Sequence, residues 1–227
     1  PEVIGDNYRH DLHIIGVELL KKSWADLKSD FDKLEMTPEE IEVYFNDTKL
    51  MIANQVNVIV NRIEEYMNKN SVDFVTAYKA NIPIVEEEYL SWDYYVKGFI
   101  DVIENHDGKI RLMDYKTSKE KKLTDQYKLQ LAIYALLYKT KHNKLPHEVG
   151  LYFIKFPEPE LSIKVTQELL KEAEFKIEQI HASTLTDEIR DFPKNETPLC
   201  NWGRGKCDFY EYCFEDKEIP PLPEPKP

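Results

Sequence analysis

Apolar positions in the first third of the chain recur at three- and four-residue spacing, and further along they alternate. Residues 1–36 carry Ile14, Ile15, Val17, Leu19, Leu20, Trp24, Leu27 and Phe31 at helical spacing. The stretch 37-TPEE-40 offers Thr37 as N-cap, Pro38 at the first helical position and Glu40 to complete a capping box. It predicts a long helix running through Ile41, Tyr44, Thr48, Met51, Val58 and Ile63 to about Met67, with no Gly or Pro to interrupt it. Beyond it, 82–90, 94–103 and 110–117 read as three consecutive strands, the last two joined across Asn105-His106-Asp107-Gly108, whose Asp-Gly pair signals a tight hairpin. A Lys-rich loop follows, then an amphipathic helix over 124–141 with Leu129, Ile133, Leu136 and Leu137 on one face and Asn143 as its stop. Strands over 149–156 and 161–165 and a helix from Thr166 to about His181 complete the pattern. The order implies an α/β fold, a mixed central sheet flanked by helices. The expected divisions are a helical region at 1–70 packed on a core at 71–185, a Cys-containing segment at 186–218 and a Pro-rich tail at 219–227. That tail, 219-IPPLPEPKP-227, suits an extended, polyproline-like end that either docks on a partner or is disordered. There is no internal repeat.

Composition narrows the class. At 42% hydrophobic and 32% charged with only 7 Gly in 227 residues, the chain has the make-up of a globular protein and not a disordered one. No window approaches the roughly 18 apolar residues of a membrane span, and the first residues lack the apolar core of a signal peptide. A cytoplasmic protein is expected, in host cytoplasm if the source is viral. Pro1 is not an initiator Met, so the chain is processed or begins outside these residues.

A formal charge of −12 argues against coating nucleic acid by bulk attraction, but leaves room for a local basic patch. Between residues 109 and 128, seven basic residues (Lys109, Arg111, Lys116, Lys119, Lys121, Lys122, Lys128) stand against three acids (Asp114, Glu120, Asp125). The rest of the chain is correspondingly acidic, a surface that either repels DNA or meets a protein partner.

Within that basic segment, 114-DYKT-117 puts an acid and a lysine on one face of a strand. Asp101 ends 98-GFID-101 on the strand before, and the Asp-Gly hairpin can bring it beside Asp114. Two neighbouring carboxylates both stay ionised only if a cation neutralises them, and oxygen donors suit Mg²⁺ or Mn²⁺. The Tyr115 carbonyl can add a neutral ligand. Lys116, on the side of Asp114, can steady an attacking water or the charge on a phosphoryl oxygen. Such an arrangement fits metal-assisted phosphodiester hydrolysis. On the helix that follows, Gln130 and Tyr134 lie one turn apart and face back toward the strand ends, or else simply mark the border of the core.

The blocks 98-GFID-101, 114-DYKT-117 and 130-QLAIY-134, in that order, resemble the PD-(D/E)xK nuclease superfamily, and within it the RecB-type exonuclease branch. The likeness is close over about residues 82–140 and loose in the flanks. Val102 stands where the branch often has Arg after the Gly-x-x-Asp acid. The resemblance implies a restriction-endonuclease-like core, with Asp101 and Asp114 as metal ligands and Lys116 as the catalytic lysine. Gln130 and Tyr134 become active-site or DNA-positioning residues. It also implies an upstream helical His on the metal, for which 9-RHDLHIIGVELL-20 offers His10 and His13, His13 being the choice. Lys119, Lys121, Lys122 and Lys128 would approach DNA phosphates. Glu86, Glu87 and Glu88 read as a charged edge strand rather than as part of the site.

All three cysteines fall in 200-CNWGRGKCDFYEYC-213. Clustered thiols in a cytosolic chain suggest a metal site, zinc or iron–sulfur, although both want four ligands. They could equally be structural cysteines packed with Trp202, Phe209, Tyr210 and Tyr212. Members of the branch, among them CRISPR-associated nucleases and helicase-nuclease subunits, hold a [4Fe–4S] cluster on three C-terminal cysteines and one far upstream. That resemblance would assign Cys200, Cys207 and Cys213 to a cluster, with the fourth expected before residue 1. The spacing departs from the family's Cys-x-x-Cys through Gly203-Arg204-Gly205-Lys206.

The expected function is a metal-dependent DNA nuclease, an exonuclease processing ends in recombination, repair, phage replication or CRISPR adaptation. The alternatives are an endonuclease, a non-catalytic DNA-binding or assembly module on the same fold, and a metal-dependent hydrolase of nucleotides. The intact Asp-Asp-Lys set speaks against the module.

Overall fold

The computed structural model describes residues 7–34, 36–186, 188, 191–202 and 205–215. The expected Pro-rich tail lies outside them. The chain forms two compact units, Pro1–Gln179 and Ile180–Pro227.

In the first unit the helical pattern of residues 1–36 resolves into α1 (Tyr8–Asp26) and a short α2 (Lys28–Lys33), parted at Leu27. Then comes α3 (Pro38–Asn70), started by the capping box the sequence announces. Thr37 Oγ1 accepts from the Glu40 amide at 3.3 Å and Glu40 Oε2 from the Thr37 amide at 3.0 Å. The helix ends at Ser71, which turns left-handed at φ 53°. A further helix, α4 (Phe74–Asn81), was not anticipated from the apolar pattern; Asp73 caps it by accepting from Thr76 N at 2.7 Å. Strands β1 (Ile84–Ser91), β2 (Val96–His106) and β3 (Lys109–Lys116) form an antiparallel meander. Helix α5 (Asp125–His142) crosses over to β4 (Glu148–Phe153), parallel to β3, and β5 (Glu160–Lys164) closes the sheet in the order β1-β2-β3-β4-β5. Helix α6 (Gln167–Ser183) follows. The mixed sheet with helices around it is the architecture the sequence implies.

Two apolar layers hold the sheet. The larger lies beneath α5 and α6, with Leu131, Leu136 and Leu170 packed on Ile100, Leu112, Leu151 and Phe153. The smaller joins Val102, Met113 and Tyr152 to Val58 of α3. Beside it runs a buried polar network. Glu104, 3% exposed, accepts from Arg62 of α3 at 2.7 Å and from Tyr152 at 2.9 Å, and pairs with Arg111 at 3.3 Å.

The hairpin turn between β2 and β3 sets the register that the site uses. Asp107 and Gly108 both have positive φ, 52° and 84°, as a two-residue primed turn requires, and His106 pairs with Lys109. Counting back equally along both strands brings Asp101 opposite Asp114, one step past the last ladder pair, Val102 and Met113. Here β2 also breaks its alternation. Ile100 and Ile103, three apart, both join the layer beneath α5, and Glu86 of β1, between the pairs Val85–Val102 and Glu87–Ile100, has φ 52°. The meander therefore splits at Asp101: β3 parts from β2 while it stays paired with β4, and β1 and β2 run on as a pair to Ser91 and Val96.

The second unit holds a 3-10 turn (Pro198–Cys200), the two-stranded β6 (Asn201–Trp202) and β7 (Gly205–Lys206), and α7 (Tyr210–Phe214). Among the described residues, no helix is long and apolar enough to cross a membrane.

Candidate active site

At the split, Asp114 is 2% exposed and Asp101 half-buried. Asp101 Oδ2 accepts the Tyr115 amide at 3.1 Å. Asp114 Oδ1 accepts from Gln130 Nε2 at 2.9 Å and from the Tyr134 hydroxyl at 3.2 Å; the same hydroxyl lies 3.5 Å from Asp101 Oδ1. Lys116 Nζ stands 2.6 Å from Asp114 Oδ2 and donates to Gln130 Oε1 at 2.9 Å. Lys116 is thus the charged partner of this buried oxygen.

The local sequence explains the assembly. Asp114 and Lys116 alternate onto the α5 side of β3, and Gln130 and Tyr134 sit one turn apart on α5. Between the two active-site positions, Tyr115 points to the other face. Its hydroxyl accepts from Gln55 of α3 at 3.0 Å and its ring lies 5.9 Å from that of Tyr152. Asn54 donates to the Ile154 carbonyl at 2.9 Å, so α3 anchors the strand ends from behind. Tyr127, not assigned to this role from sequence, sits with its ring 4.7 Å from Lys116 Nζ and its hydroxyl 2.9 Å from Ser118 Oγ. Its signal was available, since Tyr127 precedes Gln130 by one helical turn.

The electrostatics show a deficit of positive charge. Burial first, and then the neighbouring Asp101, push the Asp114 carboxyl above its usual pKa, while Lys116 pulls it back only in part. Burial and the two carboxylates push the Tyr134 phenol up as well, so it remains an O–H donor. Two neighbouring carboxylates with one lysine between them fit a hard cation. The Tyr115 N–H points toward Asp101, and in an extended strand the carbonyl of the same residue points to that side too. Asp101, Asp114 and this carbonyl are the donors such an ion would use.

Other expected residues lie elsewhere. His13 is on α1, with Nε2 3.2 Å from Asn57 Oδ1 of α3. Among the described residues, no three His, Cys, Asp or Glu side chains come together to hold a metal. The structure therefore does not bring His13 to the carboxylate pair, because helical spacing turns it onto α3. Nor does it gather Cys200, Cys207 and Cys213 into one set. All three are free thiols, and across the β6–β7 hairpin the Cys207 amide donates to the Cys200 carbonyl at 3.0 Å. Glu87 serves Lys141 and Tyr89, at 2.9 and 2.8 Å, and not the site. Of the lysines expected at DNA, Lys128 pairs with Glu172 at 3.0 Å and Lys121 donates to the Glu158 carbonyl. Lys119 and Lys122 are exposed and line an open cavity of about 350 Å³ with Ser118, Glu120, Thr124 and Tyr127.

A family model described as the PD-(D/E)XK nuclease superfamily matches residues 17–214, so the chain belongs to that superfamily. The five-stranded mixed sheet flanked by helices is accordingly its restriction-endonuclease-like core. Among solved structures, one of a candidate exonuclease from Eubacterium rectale is similar, with 16% identity and a TM-score of 0.42, over 91% of this chain and 73% of that one. A comparison with curated proteins found no match.

Proposed function

We propose that the chain is a divalent-metal-dependent deoxyribonuclease, an exonuclease working from DNA ends, with its reaction centre at Asp101 and Asp114. The observation that carries this reading is the buried Asp114 carboxylate, set against Asp101 and paired with Lys116 at 2.6 Å. Membership of a nuclease superfamily supports it. Asp101, Asp114 and the Tyr115 carbonyl would hold Mg²⁺ or Mn²⁺, which when bound supplies an acidified water and a Lewis acid. Lys116 presents its ammonium to the charge that develops on the phosphoryl oxygen. Gln130 fixes that ammonium through Oε1 and Asp114 through Nε2, so one amide sets the spacing of both. Tyr134 donates a hydrogen bond to Asp114, and the Tyr127 ring supports the Lys116 ammonium. Lys119 and Lys122 meet the DNA backbone. The preference for ends follows the resemblance to the RecB-type branch.

The test is digestion of end-labelled linear DNA and of covalently closed circular DNA with Mg²⁺, Mn²⁺ or EDTA, beside Asp114→Ala and Lys116→Ala. Digestion of the linear form alone is expected, with loss in EDTA and a fall of about 100-fold or more in each variant. Nicking of the circle would make the protein an endonuclease. Undiminished cleavage by Asp114→Ala would sink the assignment, and no cleavage at all would leave a binding module.

A further inference from the structure

The loop from β3 to α5, 117-TSKEKKLT-124, begins directly after Lys116 and is fixed at three places. Ser118 Oγ lies 2.9 Å from the Tyr127 hydroxyl, Lys121 donates to the Glu158 carbonyl, and Thr124 Oγ1 accepts the Tyr127 amide at 3.2 Å. Lys119 and Lys122, on either side of these anchors, line the open cavity with Ser118, Glu120, Thr124 and Tyr127. Neither lysine has an ion-pair partner among the described residues, so two ammonium groups against the Glu120 carboxylate leave the cavity with one positive charge. Tyr127 joins this cavity to the reaction centre. The ring that forms part of its wall stands 4.7 Å from Lys116 Nζ, which in turn is 2.6 Å from Asp114 Oδ2. The cavity and the Asp114–Lys116 pair thus lie on the same side of the sheet, the side of α5.

We propose that this cavity is a subsite for the backbone phosphate next to the scissile one, held by Lys119 and Lys122, so that the preferred substrate carries at least two phosphates. The proposal rests on the nuclease reading and specifies which phosphate those lysines meet. A strand repeats its negative charge at every nucleotide, so a phosphate at Lys116 brings a neighbour within one step of it. Across the Tyr127 ring that neighbour meets the two uncommitted lysines, whereas Lys128 is taken up by Glu172. One excess positive charge matches the single charge of a phosphodiester. Thr124 Oγ1 accepts the Tyr127 amide, which leaves its O–H to donate to a phosphate oxygen. Because the loop is already anchored, little ordering is left for binding. With a formal charge of −12 the molecule draws DNA weakly from a distance, and the grip falls to such local contacts.

The experiment compares TpT, which has one phosphate, with pTpT and TpTp, which add a second on one side or the other. It reads kcat/KM for the internal bond in Mg²⁺, with long linear DNA digested in parallel. The proteins are the full chain, Lys119→Ala with Lys122→Ala, and each single change as a milder form. Wild type is expected to cut one of the two phosphorylated dinucleotides about tenfold or more faster than TpT, the scale of one charge-assisted contact. The double variant should bring that ratio to about one, and the single changes should lower it in part. The ratio is taken within each protein, so an altered overall rate does not disturb it. Whichever dinucleotide is preferred gives the direction in which the strand crosses Tyr127. The subsite alone is overturned if wild type digests long DNA but cuts all three dinucleotides alike or none of them. It is overturned too if pTpT and TpTp gain equally, or if the variants keep the wild-type ratio. A wild type that cuts nothing, long DNA included, removes the nuclease reading and the subsite with it.

Discussion

Asp114 is ionisable, nearly sealed from water, and set against a second carboxylate. Its raised pKa means that the folded chain holds this proton more tightly than the unfolded chain does. Metal-free stability therefore falls as pH rises from the ordinary aspartate range through the raised folded value, and the penalty is complete above that value. Sites shaped for chemistry often carry such penalties. Replacing Asp114 by Asn should raise the Tm of the metal-free protein by a few degrees at pH 7.5. Mg²⁺ or Mn²⁺ should raise the Tm of wild type and leave that of the variant where it is. Thermal scans in EDTA and in millimolar metal check both halves, and an equal metal shift in the two proteins would place the ion elsewhere.

Between elements, the crucial contact is that of α3 with the sheet. Arg62 crosses from α3 to Glu104 on β2 and donates also to the Tyr152 hydroxyl at 2.7 Å, while Gln55 and Asn54 hold the ends of β3 and the segment after β4. Because Glu104 is buried, losing Arg62 leaves much of its charge uncompensated. Arg62→Ala should cost about 3 kcal/mol in a urea titration, far more than an exposed ion pair such as Lys21 with Glu18. A loss below about 0.5 kcal/mol would show that Arg111 alone suffices for Glu104.

For the whole molecule, the balance is between an acidic body and a short basic loop. Of the four lysines expected at DNA, two are engaged internally and two face the open cavity. The double change Lys119→Ala with Lys122→Ala should weaken duplex binding and reduce the slope of log K against log salt by up to about 1.8, at roughly 0.9 per phosphate contact. The change Lys121→Ala with Lys128→Ala should move it much less. Equal slopes for the two doubles would mean that the internal pairings open when DNA arrives.

How much of this was legible in the chain differs by feature. The capping box of α3, the Asp-Gly hairpin, the strand of Asp114 and Lys116 and the turn from Gln130 to Tyr134 follow from local stereochemistry. A Thr–Glu cap, a primed turn and periods of two and 3.6 act within a few residues, and the hairpin register alone sets Asp101 opposite Asp114. The short α4 escaped because eight residues carry too little periodicity, although its cap, Asp73, was in view. His13, Cys200, Cys207 and Cys213 were assigned by likeness, and only the packing of α1 on α3 and the folding of the C-terminal unit decided where they point. The break in β2, the burial of Asp114, the ring beneath Lys116 and the pairing of Lys128 with Glu172 were likewise left to the tertiary structure. Burial and charge pairing depend on residues far apart in sequence, and no local period encodes which of them meet.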